Sequence, residues 1–222
     1  MKIYAISDIH GHLHEFEYAL SLIDLSSDAA LVLLGDYIHG PESYAVLDRI
    51  LALQRQFGED KVIALLGNHE EMALEGYQGI GDAYDECAEG DDRYLDWIAR
   101  LPLYHVVKNA IFVHAGIDEE AAAEGLWEWG TGEHLYTSKY PAETGKIENF
   151  DMKIVAGHIG TCTITEDPRF HDIFFDGGSH YYIDGSVQQS GELPILMYDT
   201  DTDQFFQVRE SILQPILPYG ED

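Results

Sequence analysis

Basic side chains are scarce in this chain. Twelve Lys and Arg stand against 41 Asp and Glu among 222 residues, a formal charge of −29 with histidine neutral. A surface of that sign repels a nucleic-acid backbone and an anionic bilayer, so neither is an expected partner. It repels phosphorylated molecules too, so a phosphate site here needs a local positive field, which bound metal ions supply. Cysteine is nearly absent. Cys87 and Cys162 make no disulfide framework, and a reducing compartment is the simplest reading. Long apolar runs are missing as well. The opening Met-Lys-Ile-Tyr-Ala-Ile-Ser is cut by Asp8 and His10, too early for a signal peptide or a membrane span. A cytoplasmic location is therefore the expectation.

The chain can nevertheless build a core: 45% of residues are hydrophobic and 12% aromatic, which argues against disorder. The length fits one domain over residues 1–222. The first half alternates short apolar runs with helix-period segments. Strands are predicted at 3–6, 31–34 and 62–66. Helices are predicted at 14–25, with Phe16, Leu20 and Ile23 in phase, and at 43–57, with Val46, Leu47, Ile50, Leu51 and Leu53 on the apolar side. This βαβαβ pattern predicts an α/β architecture. A helix over 94–100 is stopped by Leu101-Pro102. Strands then recur at 104–107, 111–113, 154–156, 173–175, 181–183, 195–198 and 205–208, enough for a second sheet. Residues 76–92 and 130–151 read as irregular.

The apolar runs end, one after another, in residues that bind metals. The first leads into Asp8-Ile9-His10-Gly11, the second into Gly35-Asp36, the third into Gly67-Asn68-His69-Glu70. Later runs lead into His114-Ala115-Gly116 and Gly157-His158. Ligands in open α/β sheets bind beyond the carboxyl ends of strands, where the backbone is rigid. Oxygen and imidazole donors without thiolate suit manganese, iron or zinc rather than a structural zinc knot. Taken singly, each piece has a bland explanation as a turn, a helix start or a core histidine. Five in order, all at strand ends, do not.

This series resembles the signature of the phosphoprotein phosphatases, in particular the bacterial serine/threonine phosphatases, within the wider calcineurin-like metallophosphoesterases. The resemblance runs through most of residues 1–200. It implies a four-layer α/β/β/α sandwich, two mixed sheets flanked by helices, with two divalent metal ions, manganese first among them, at one edge. It further implies that Asp8 and His10 hold the first metal, that Asp36 bridges both, and that Asn68, His114 and His158 hold the second. His69 would not be a ligand but would protonate the leaving oxygen. The implied activity is hydrolysis of a phosphomonoester by hydroxide held between the metals, on a phosphorylated protein or a small-molecule phosphate ester.

The chain departs from the family at one motif. Where the family has Gly-Asp-x-x-Asp-Arg-Gly, this chain has Gly35-Asp36-Tyr37-Ile38-His39-Gly40-Pro41, one residue shorter. In the family that second Asp orients the proton donor and the Arg grips phosphate. His39 stands where either could have been, as an orienting partner or a pH-dependent cation. A second phosphate-binding Arg, expected between His114 and His158, is also missing. Leu126-Trp127-Glu128-Trp129-Gly130 lies in its place, and the basic residues of that interval are His134, Lys139, Lys146 and Lys153. Each lost charge-assisted contact costs about 1.5–3 kcal/mol. The substrate-binding residues stay unassigned. The loss favours an alternative, a phosphodiester or phosphoanhydride hydrolase of the diadenosine tetraphosphatase type. A further alternative is a metal-bound binding scaffold with little turnover.

Overall fold

Strand β1 (Lys2–Ile6) points Ile3 and Ala5 one way and Tyr4 and Ile6 the other. Two-residue alternation with both faces apolar means a strand covered on both sides. The computed structural model of the chain describes residues 1–81, 91–210 and 212–220. In it β1 lies inside a six-stranded sheet, with β2 (Ala29–Leu33) and β3 (Val62–Ala64) parallel on one side. On the other side β9 (Leu196–Asp199), β10 (Gln204–Arg209) and β11 (Ile212–Pro215) continue the sheet antiparallel. A second, five-stranded sheet contains β4 (Tyr104–Val107), β5 (Ala110–Val113), β6 (Lys153–Ala156), β7 (Phe174–Phe175) and β8 (His180–Tyr182), in the order β4-β5-β6-β8-β7. There β5, β6 and β8 run parallel and the two edge strands antiparallel.

Ile3, Ala5 and Val32 of the first sheet share a core with Phe112, Val155 and Tyr181 of the second. The opposite face of the first sheet packs on helices α1 (Leu13–Ser21), α2 (Ser43–Phe57) and α4 (Asp92–Ile98), through Phe16, Leu47, Ile50 and Trp97. The outer face of the second sheet packs Ile111 and Val113 on Ala122 of α5 (Glu119–Ala123), Trp127 of α6 (Trp127–Gly130) and Tyr136 of α7 (Glu133–Ser138). The result is the expected α/β fold of two mixed sheets flanked by helices.

Parallel pairing places the strand ends together. Ile6 is opposite Leu33, and Leu33 is opposite Ala64, so the chain leaves β1, β2 and β3 at one edge. Phe112 opposite Val155 does the same for β5 and β6.

Several boundaries differ from those the sequence predicts. Helix α1 stops at Ser21 rather than at residue 25, and β3 stops at Ala64. Helix α3 (Asn68–Leu74) starts on the Gly-Asn-His-Glu motif itself. Within 130–151, α7 replaces part of the expected irregular stretch. Short helices α8 (Thr161–Ile164) and α9 (Val187–Ser190) and the exposed edge strand β11 carry too little apolar periodicity to announce themselves. Of the segment 76–92, residues 82–90 lie outside the described residues, and Cys87 with them. Among the described residues no helix is long and apolar enough to cross a membrane.

Candidate metal centre

Asp8, His10, Asp36, His39 and His158 all take left-handed backbone, with φ of 54°, 45°, 56°, 64° and 66°. The conformation costs a non-glycine residue about 1–2 kcal/mol, so five of them in one place need support from their surroundings. Main-chain bonds supply part of it. The amide of Asp8 donates to the Gly35 carbonyl (3.2 Å), that of His10 to Asp36 (2.9 Å) and that of Gly157 to His114 (2.8 Å).

Glu70 supplies more. Its carboxylate, completely buried at the start of α3, accepts the amides of Asp36 (2.8 Å), Tyr37 (2.8 Å), Ile38 (3.3 Å) and Gly67 (3.2 Å). Burial and the nearby Asp36 charge push the Glu70 carboxyl up to about 8, with the amides of Tyr37, Asp36 and Gly67 pulling against them. Two glycines permit the close approach. A Cβ on Gly67 would overlap Asp36, and one on Gly157 would overlap Ser7 and Asp8.

On this frame the six candidate ligands converge. Asp36 turns Oδ2 toward His10 Nε2 (3.8 Å) and His69 Nε2 (3.7 Å), and Oδ1 toward His114 Nε2 (3.5 Å). His10 Nε2 is also 3.9 Å from Asp8 Oδ1. Asn68 Oδ1 lies 3.0 Å from both His114 Nε2 and His158 Nδ1. The result is two groups that share Asp36: His10, Asp36 and His69, and Asp36, His114 and His158. Within each, the candidate ligand atoms lie within 4.8 Å of one another.

The donor chemistry fits cations. His114 Nδ1 is 3.0 Å from the Leu34 carbonyl and His10 Nδ1 is 3.1 Å from that of Ile38. A carbonyl only accepts, so each ring carries its proton on Nδ1 and presents a bare Nε2 to the site. In a neutral His114, that bare nitrogen faces the Asn68 oxygen, lone pair to lone pair. Burial favours the neutral form of three rings: it pushes His114 and His69 down to about 4, against the pull of Asp36, and lowers His158. Neutral imidazole is the form that binds metal. The carboxylates divide. Burial, then the charges of Asp184 and Asp36, raise Asp8 well above its usual value. Asp36 is instead held low against its burial, with the His69 amide donating to its Oδ1 at 3.0 Å.

His39 is buried, not a solvated loop residue. Its Nδ1 meets His69 Nδ1 and its Nε2 lies 2.7 Å from the Gly79 carbonyl. The missing arginines have no basic substitute in these contacts. Among the described residues, the hydrogen bonds and ion pairs of the six candidate ligands include no Lys or Arg. Lys139 is buried against the Ile117 carbonyl (2.6 Å), Glu119 (3.1 Å) and Glu143 (3.3 Å), and Lys146 is exposed. Trp127 packs into the second sheet's outer core and Trp129 is exposed.

Sequence reasoning missed two residues. In the sequence Glu70 reads as part of a helix start, with nothing to show that it holds a loop more than thirty residues away. Asp184 is a fourth buried carboxylate, after Asp8, Asp36 and Glu70. Its charge bears on Asp8, and its Oδ1 accepts the Ser186 amide at 2.7 Å. The signal for it was present: like the other site residues it comes just after a strand and stands beside a glycine.

The family model for calcineurin-like phosphoesterases matches residues 1–188. A symmetrical bis(5'-nucleosyl)-tetraphosphatase of Nitrosospira multiformis is 35% identical over 127 residues, covering 53% of this chain and 44% of its own. The enzyme of the same description from Erwinia tasmaniensis is 35% identical over 128 residues, covering 53% and 45%. The chain thus matches less than half the length of these relatives. Among solved structures, a cold-active protein-tyrosine phosphatase of Shewanella superposes with TM-score 0.67 at 16% identity, over 97% of this chain and 80% of the other. A protein serine/threonine phosphatase from Saccharomyces cerevisiae superposes with TM-score 0.62 at 15% identity, over 95% and 81%. At such identities the likeness shows the fold alone.

Proposed function

The chain belongs to the calcineurin-like phosphoesterases, metal-dependent hydrolases, and on that premise we propose that it cleaves phosphoanhydrides of small nucleotides, in the manner of a dinucleoside tetraphosphatase. The observation that carries a two-cation site is the buried cradle of acceptors, with Asp36 facing one group through each oxygen. Asp8 and His10 would hold one ion, Asn68, His114 and His158 the other, and Asp36 both. Bound there, divalent ions, manganese first among the candidates, supply a positive field that draws in phosphoryl oxygens and acidifies water.

The chain's own residues do the rest. Asp36 sets the spacing of the two groups. The Leu34 and Ile38 carbonyls fix the tautomers of His114 and His10. His69, with Nε2 turned to the same space, would give a proton to the leaving oxygen. Two considerations favour an anhydride over a monoester. The two relatives from Nitrosospira multiformis and Erwinia tasmaniensis are tetraphosphatases. Among the described residues, the hydrogen bonds and ion pairs of the six candidate ligands include no guanidinium or ammonium to grip a dianionic phosphoryl group, and an internal phosphoryl of a dinucleoside polyphosphate carries less charge.

The second reading, a phosphomonoesterase like the bacterial serine/threonine phosphatases, keeps the support of the motif series from Asp8 to His158. The deciding experiment loads the full chain with manganese, iron or zinc and compares diadenosine tetraphosphate, p-nitrophenyl phosphate, bis-p-nitrophenyl phosphate and a phosphoserine peptide. We expect the tetraphosphate to lead in kcat/KM. Preference for the monoester and peptide overturns this reading in favour of the second. Metal-loaded protein that turns over none of them leaves a binding scaffold.

A further inference from the structure

We propose that His39 is the positioning residue of the proton donor: it holds His69 with its proton on Nδ1, and is itself oriented by the main-chain carbonyl of Gly79. The proposal rests on the reading of His69 as proton donor.

The chain of contacts decides the protons. The Gly79 carbonyl, 2.7 Å from His39 Nε2, can only accept, so His39 carries its hydrogen there. A neutral His39 then has a bare Nδ1, and that atom meets His69 Nδ1. One proton must lie between the two nitrogens, and His69 supplies it. His69 Nε2 is thereby left facing the space beside Asp36 Oδ2, 3.7 Å away. The rings meet edge to face, with centroids 4.7 Å apart and planes at 67°.

The arrangement is built, not incidental. His39 is buried and left-handed, with φ 64°. Its amide donates to the Ile80 carbonyl (3.4 Å), and Ser43 Oγ bonds the carbonyls of Gly40 (2.9 Å) and Gly81 (3.2 Å). Residues 79–81 are thus clasped to the loop that bears His39. This assigns one of the two roles that the shortened motif left open. His39 is the orienting partner, and its ring points at His69 rather than outward as a phosphate-binding cation.

In the step itself the bare Nε2 of His69 takes a proton from solvent and passes it to the leaving oxygen as the bond from that oxygen to phosphorus breaks. Water supplies the new P–O bond and releases its spare proton to solvent. His69 keeps its Nδ1 proton throughout, and His39 neither gains nor loses one.

Two measurements test this. In the first, His39→Leu and His39→Gln are compared on aryl phosphates of graded leaving-group acidity, with metal content measured in each. A glutamine amide can accept from His69 and donate to Gly79, and leucine can do neither. We expect His39→Leu to lower kcat about tenfold or more on the least acidic leaving group, which needs the proton, and little on the most acidic. KM and metal content should hold, and His39→Gln should recover most of the rate. A loss that is uniform along the series, or equal in both variants, overturns the proposal. In the second, long-range 15N correlation of the zinc-loaded wild-type chain reads the His69 tautomer without any substitution. A bare Nδ1 on His69 overturns the proposal, even where variants misfold. Wild-type enzyme inactive on every aryl phosphate would count against the proton-donor reading, and the tautomer would still judge His39.

Discussion

Glu70 accepts the amide of Asp36 at 2.8 Å across 34 residues of sequence. The Asp36 loop is therefore held from beneath by another buried carboxylate, which also takes the amides of Tyr37, Ile38 and Gly67. Removing Glu70 strands several buried donors at once. Glu70→Ala should cost about 3–5 kcal/mol in urea unfolding, and Glu70→Gln less, since one acceptor oxygen survives. A Glu70→Ala protein as stable as wild type would mean that these bonds do not hold the loop.

Asp36 and His69 share the same space but should fail differently. Asp36→Asn takes charge from the residue that faces both groups, so metal content and activity should both fall. His69→Asn should slow turnover on substrates with poor leaving groups, by about 10²-fold or more, with metals retained. Elemental analysis of the two purified variants separates the roles. Equal metal loss in both would show His69 to be a ligand.

Gly157 lies where the chain turns past Ser7 and Asp8. A methyl group there would overlap Ser7 Oγ and Asp8 Oδ2, which are themselves hydrogen-bonded at 2.5 Å. Gly157→Ala should displace Asp8 or His158, weaken metal binding about tenfold or more, and cost about 1–3 kcal/mol of stability. Isothermal titration with manganese checks the first, and thermal unfolding of the metal-free chain the second. Unchanged binding would show that the Asp8 loop yields without cost.

Away from the centre, His180 is clamped between Asp176 (2.7 Å at Nδ1) and Glu119 (3.0 Å at Nε2). Burial lowers its pKa, but the two carboxylates outweigh burial and raise it from 6.5 to about 9. A folded-state value above the unfolded one stabilises fully below the unfolded value and is lost as pH rises through the folded one. The contribution, roughly 3 kcal/mol, should therefore be present at pH 6 and largely gone by pH 10. In wild-type protein unfolding free energy should fall over that window more steeply than in His180→Gln. Parallel pH profiles would refute the clamp.

Legibility was greatest where geometry is local. Short apolar runs at 3–6, 31–34 and 62–66 announce strands, and a residue placed just after a strand must sit near its end. Asp8, Asp36, Asn68, His114 and His158 could therefore be picked out in one dimension, and the structure brings them to one edge. The helix ends were harder, since α1 loses its regularity after Ser21 with no glycine or proline to mark the stop. The shortened motif left His39 with two roles, because a spacing does not say which way a ring points.

The sequence by itself determined the donor types, their order along the chain and their places at strand ends, because strand periodicity and turns are properties of a few neighbouring residues. Only the tertiary structure decided that Asp36 faces two groups, that Glu70 carries the Asp36 loop, that the charge of Asp184 bears on Asp8, and that His39 meets His69 rather than solvent. Each of these joins residues tens of positions apart, brought together by parallel strand pairing and burial between layers, and no local pattern encodes such distances.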